Sequence, residues 1–175
     1  MIESKINIYK DVLRISYLIL MTTFLLASIY FIFGSAYATA YGGGKISWIE
    51  LIWVWKGLVA TFIFSSIAFF GLKRPNKLGV YFSYSLPIGL GVYFIITIIN
   101  TTLYKIKQGA ELDLENILEL IISTVLIIGI PWIMILSTRK IEKKNFQLKK
   151  LDIGFISGLA LILILAWYFM FKFYW

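Results

Sequence analysis

The chain has no cysteine and no histidine. Disulfides, thiolate nucleophiles, Cys/His zinc sites, His-ligated haem and a Ser-His-Asp triad are therefore beyond its own side chains. Acidic groups are scarce as well: nine Asp and Glu stand against seventeen Lys and Arg, for a net charge of +8. They form no clustered, Asp-rich metal motif, so the sequence implies no metal and no cofactor.

The basic surplus is not spread evenly. Twelve of the seventeen basic residues fall in three groups: Lys5, Lys10 and Arg14; Lys73, Arg74 and Lys77; and Arg139, Lys140, Lys143, Lys144, Lys149 and Lys150. The chain as a whole is 60% hydrophobic with a mean hydropathy of +0.85. Five apolar stretches, roughly 15–33, 48–72, 78–103, 114–137 and 153–175, each match the length of about 20 residues that a helix needs to span a bilayer. The expected fold is an all-α integral membrane bundle of five transmembrane helices, forming one domain over residues 1–175. The three basic groups then share one face. Loops rich in Lys and Arg stay cytoplasmic, which places the N-terminus inside and the C-terminus outside. Anionic lipid headgroups account for the basic links, so no nucleic-acid partner is expected. Lysine outnumbers arginine fourteen to three and isoleucine is abundant, which suggests an AT-rich genome. The expected location is a bacterial inner membrane.

The first stretch resembles a signal peptide, because a basic start and an apolar run precede Ala36-Tyr37-Ala38. Its length exceeds the h-region of about 7–15 residues, so it reads as a retained anchor. The link 34–45 reads as a flexible outer loop, and its glycines 42–44 match no phosphate-loop spacing. Ser47 and Glu50 have capping-box spacing, with Ile46 and Leu51 placed for a hydrophobic staple. Trp48, Trp53 and Trp55 suit the aromatic belt at the outer interface. Asp113 and Asp152 are candidate N-caps, with Glu115 in a first turn where the helix dipole favours an anion. Trp167, Tyr168, Lys172, Tyr174 and Trp175 read as an outer-interface anchor.

Pro87 and Pro131 should each kink a helix, nine and six residues from the expected inner ends and so at similar depth. Gly154 and Gly158 form a GxxxG pair suited to close helix packing, with another helix of this chain or with a second protein. Lys56 and Glu119 are the ionisable residues placed inside expected spans. A mid-helix Lys costs about 2.5–3.5 kcal/mol to insert, against about 0.5 gained per Leu or Ile, so roughly six apolar neighbours offset it. The two lie at comparable depth, near 12 and 8 Å in by the ~1.5 Å helical rise, and could pair if their helices are adjacent. Snorkelling of Lys56 is the plain alternative. Asn100, with Thr97, Thr101 and Thr102, could add hydrogen bonds to a polar cup there.

The chain lacks the Trp-Pro patterns of tryptophan-rich sensory proteins, the cysteines of quinone-coupled thiol oxidases and the TVGYG filter of potassium channels. The leading expectation is a non-catalytic subunit or accessory protein whose partners are the bilayer and another membrane protein or a second copy of itself. A small transporter or channel component using Lys56 and Glu119 is the main alternative. A lipid-modifying enzyme relying on Glu50, Glu115 and Glu119, or a toxin-immunity protein, would also fit the architecture.

Overall fold

A computed structural model describes residues 2–45, 47–73, 76–107, 114–146 and 148–172. These form six α-helices: α1 Ile2–Tyr41, α2 Trp48–Val54, α3 Lys56–Lys73, α4 Lys77–Lys107, α5 Leu114–Asn145 and α6 Lys150–Lys172. No strand occurs among the described residues. Four described segments are long and apolar enough to cross a membrane: Lys10–Tyr41, Lys56–Lys73, Lys77–Tyr104 and Lys150–Met170. Large side chains such as Leu26, Tyr30, Ile49, Val125 and Leu151 stand exposed, as suits a protein solvated by hydrocarbon.

Several helix boundaries differ from the sequence expectation, each for a physical reason. α1 continues through residues 34–41, which were expected to be loop. Alanine is the best helix former, and 36, 38 and 40 are all Ala. The glycines then end the helix in a Schellman motif. Gly43 takes a left-handed φ of 74°, the Gly44 amide donates to the Thr39 carbonyl at 2.9 Å, and the Gly43 amide to Ala40 at 3.1 Å. The glycine run is thus a helix terminator. At 40 residues α1 is about 60 Å long, twice the ~30 Å hydrocarbon layer.

The stretch 48–72 is not one helix. It breaks at Trp55, whose backbone (φ −93°, ψ 23°) leaves the helical region. The Ser47/Glu50 capping box is present, with the Ser47 amide donating to Glu50 Oε2 at 2.7 Å and the Glu50 amide to Ser47 Oγ at 3.2 Å. Ile46 and Asp113 lie outside the described residues. Asp152 is not the N-cap of α6. It is the third residue of the helix, in the first turn, and reaches back to accept the Lys149 amide at 2.8 Å.

α4 occupies the centre, packed on α3, α5 and α6, while α1 lies against α3 and α5. The core draws Leu13 and Tyr17 from α1, Leu58, Phe64, Ala68 and Leu72 from α3, Leu86, Leu90 and Tyr93 from α4, Met134 and Ile141 from α5, and Leu163 and Trp167 from α6. Trp167 is therefore a core residue, which corrects its reading as an interface anchor. Its indole donates to Thr61 Oγ1 at 2.9 Å and meets Phe24, Tyr93 and Phe94. The indole can be buried because its N–H finds a partner there.

Glycine sets the closest helix approaches. A methyl group on Gly71 would lie 2.4 Å from Gly79 Cα, so α3 and α4 touch backbone to backbone beside their turn. Asn76 caps that turn, accepting the Gly79 amide on Oδ1 at 2.7 Å. Gly89 fits against Leu163 and Ala160 of α6, and Gly57 against Trp167.

Candidate functional site

One end of the bundle collects the basic links and a set of buried hydroxyl groups. Lys10 Nζ donates to the Lys73 carbonyl at 3.3 Å, tying the start of α1 to the end of α3. Tyr81 and Tyr84, one helical turn apart on α4, donate to Asp152 Oδ1 of α6 and to Glu142 Oε2 of α5, each at 2.6 Å. Ser85 Oγ donates to the Ile156 carbonyl of α6 at 3.0 Å. These bonds fasten α4, α5 and α6 together at that end. Tyrosines meeting carboxylates at 2.6 Å are charge-assisted bonds in a poorly hydrated setting, where such contacts are strongest. Of these residues only Asp152 was singled out in the sequence, and as a helix cap, not as a partner for a tyrosine. Only the spacing of Tyr81 and Tyr84, three residues apart in a helix, hints that they share a face.

Tyr17 is fully buried and crosses from α1 to α4, donating to the Ser83 carbonyl at 2.7 Å. Its hydroxyl also lies beside the Thr138 hydroxyl of α5. Ser83 stands four residues before Pro87, so its carbonyl is the one that loses a helix partner to the proline. Tyr17 supplies the missing donor.

Above Tyr17, α1, α4 and α5 enclose a cleft of about 190 Å³. Leu20 lines it from α1, Leu86, Pro87, Leu90, Gly91 and Phe94 from α4, and Ile130, Pro131 and Met134 from α5. The two prolines thus face one space. The lining contains no polar side chain. It suits hydrocarbon and gives an ion nothing to bind.

Of the residues expected to form a polar cup, Lys56, Thr97, Asn100, Thr101 and Thr102 are described, and none of them lines this cleft. Lys56 stands at the break after Trp55, donates to the Trp53 carbonyl at 3.1 Å, and holds its ammonium 5.0 Å from the Trp53 ring centroid. A carbonyl left open by the break and an aromatic face make this position tolerable for a cation. The side chains of Glu115 and Glu119 lie outside the described residues. Their helix α5 packs on α4 and α1, whereas α3 packs on α1, α4 and α6. Thr97 turns its hydroxyl onto the Tyr93 carbonyl of its own helix at 3.0 Å, and Asn100 is exposed at the far end of α4.

Gly154 and Gly158 make no close contact within the described chain: nothing lies within 4 Å of where a Cβ would stand on either. They face outward from α6 together with Ile153, Leu161 and Leu165. Tyr168 is also exposed, while Lys172, Tyr174 and Trp175 carry no described side chain. Compared with protein families, with curated proteins and with solved structures, the chain matches none.

Proposed function

We propose that this chain is a five-crossing protein of a bacterial inner membrane, with its N-terminus inside and its C-terminus outside. Its role in this reading is that of a non-catalytic subunit or accessory protein of a membrane complex. One observation carries it. Gly57, Gly71, Gly79 and Gly89 each receive a neighbouring helix of this chain, whereas Gly154 and Gly158 stand uncovered. In a bilayer no hydrophobic force drives helices together, so close approach at small residues is a main source of helix association. An uncovered GxxxG pair on α6 fits a partner helix supplied by another protein or a second copy.

One feature weighs against a transport path: the cleft between α1, α4 and α5 is apolar throughout. The buried hydroxyl groups of Thr61, Ser65, Ser83 and Thr138 bond to carbonyls of their own helices. They are satisfied within their own helices.

The test is affinity purification from native membranes in mild detergent, comparing the wild-type chain with a Gly154→Leu/Gly158→Leu variant. The reading expects a stoichiometric partner, or a homodimer, with wild type, and its loss from a variant that melts at an unchanged temperature. A monomer with no partner, or a partner retained by the variant, would refute it.

A further inference from the structure

The basic end of the bundle holds a donor that the protein itself leaves unmet. Arg14 lies on the flank of α1 that packs on α3, with its guanidinium carbon 5.7 Å from the ring centroid of Phe69. Its Nε is buried, and among the described residues it is the single buried side-chain donor or acceptor without a hydrogen-bond partner. The acid beside it, Asp11, stands 3.7 Å from a terminal guanidinium nitrogen, too far for a hydrogen bond, and is itself 64% exposed. A guanidinium carries five N–H donors in a planar fork that matches a phosphate. No described residue fills that fork.

Further positive charge gathers at the same place. Lys10 is one helical turn before Arg14, and its ammonium reaches the Lys73 carbonyl at the end of α3. Lys73 adds an exposed side chain at that helix end. Arg14 lies about 6 Å beyond Lys10 along α1, toward the apolar part of the helix. Leu18 and Leu25, four and eleven residues on, continue its helix face and are 39% and 37% exposed. Phe70, next to Phe69 on α3, is 63% exposed. Cations at the helix ends thus give way to a bare apolar surface.

We infer that the flank of α1 and α3 at this end seats one anionic phospholipid, its phosphate accepting from Arg14 and Lys10 and an acyl chain lying along Leu18 and Leu25. The phosphate supplies the acceptor that Nε lacks, and basic pockets between membrane helices suit such headgroups. The exposed Asp11 carboxylate turns to water when the phosphate arrives. An acyl chain marks the occupant as a lipid and not a dissolved phosphate, because Leu18 and Leu25 offer an ion nothing. The inference rests on the bundle lying in a bilayer. It is independent of which face is cytoplasmic and of any partner protein.

Native mass spectrometry of the delipidated protein in detergent, titrated with phosphatidylglycerol or phosphatidylcholine of the same acyl chains, measures the first bound lipid. Phosphatidylglycerol should bind about tenfold more tightly, and Arg14→Gln should weaken it about fivefold. Arg14→Lys should restore only part of the loss, since a point charge lacks the fork. Lys143→Gln removes the same charge from the exposed surface of α5 and should change nothing. Lys73→Gln alters an exposed side chain, should also weaken phosphatidylglycerol, and decides the matter if Arg14→Gln does not fold. Equal affinity for the two lipids, or equal losses in Arg14→Gln and Lys143→Gln, would overturn the inference. So would displacement of the lipid by inorganic phosphate but not by chloride of equal ionic strength. A protein that stayed folded and soluble without detergent would refute the bilayer placement, and the site with it.

Discussion

Tyr17 of α1 donates to the Ser83 carbonyl of α4 across 2.7 Å, filling the vacancy that Pro87 creates four residues along. The pairing makes the two side chains interdependent. Tyr17→Phe should destabilise the protein by about 1–3 kcal/mol, since a buried carbonyl is left without a donor. Pro87→Ala restores a backbone amide to that carbonyl. In the Pro87→Ala background Tyr17→Phe should therefore cost much less. Thermal unfolding of the four chains in detergent gives the coupling, and equal losses in both backgrounds would refute the account.

Gly71 and Gly79 leave no room for a methyl group, because a Cβ on either falls 2.4–2.5 Å from the other's backbone. Gly71→Ala and Gly79→Ala should each lower stability by about 1–3 kcal/mol through overpacking. Gly129→Ala, in a helix of the same bundle, meets empty space and should be neutral or stabilising. Melting temperatures of the three variants provide the comparison.

The α2 cap should respond to acid. Glu50 titrates below its ordinary 4.5, first because it accepts the Ser47 amide and next because it accepts the Ser47 hydroxyl. A carboxylate with a lowered folded-state pKa stabilises the fold above the ordinary value and loses that contribution as pH falls through the folded-state one. Emission from Trp48 and Trp53 should therefore shift as α2 frays below pH 4.5. Glu50→Gln should abolish the acid-dependent part of the shift. An identical titration in that variant would show that another group is responsible.

Sidedness can be read by labelling single cysteines at positions 45, 77 and 140 with an impermeant maleimide on intact spheroplasts. The five-crossing arrangement expects reaction at 45 alone, with 77 and 140 reacting only after the membrane is opened. Different behaviour at 77 and 140 would remove the arrangement.

The helical class was legible because apolar runs with basic junctions carry their own physics: length against bilayer thickness, and charge against insertion. The Ser47/Glu50 cap was legible for a similar reason, since both partners lie within one turn. The polar interior was not. Tyr17 acts on a main-chain carbonyl 66 residues away, and no side-chain pattern marks a carbonyl freed by a proline. Trp167 carries the same residue type as an interface anchor, and only the position of Thr61 on a neighbouring helix distinguishes the two roles. Gly71 and Gly79 escaped notice because their spacing spans a turn and so lacks the four-residue period of a single helix face. The GxxxG pair that does have that period turned out to face away from the bundle.

The turn between α3 and α4 also ranks the places where foreign sequence can be spliced in. Residues 74–76 are all that separate Lys73 from Lys77, and the two backbones touch immediately beyond them. An epitope tag or protease site spliced there would pry apart the backbone contact between Gly71 and Gly79. After Gly44 the same insertion follows a helix that has already ended, at residues exposed on the far end of α1. That loop is the better attachment point for a purification handle or an antibody fragment.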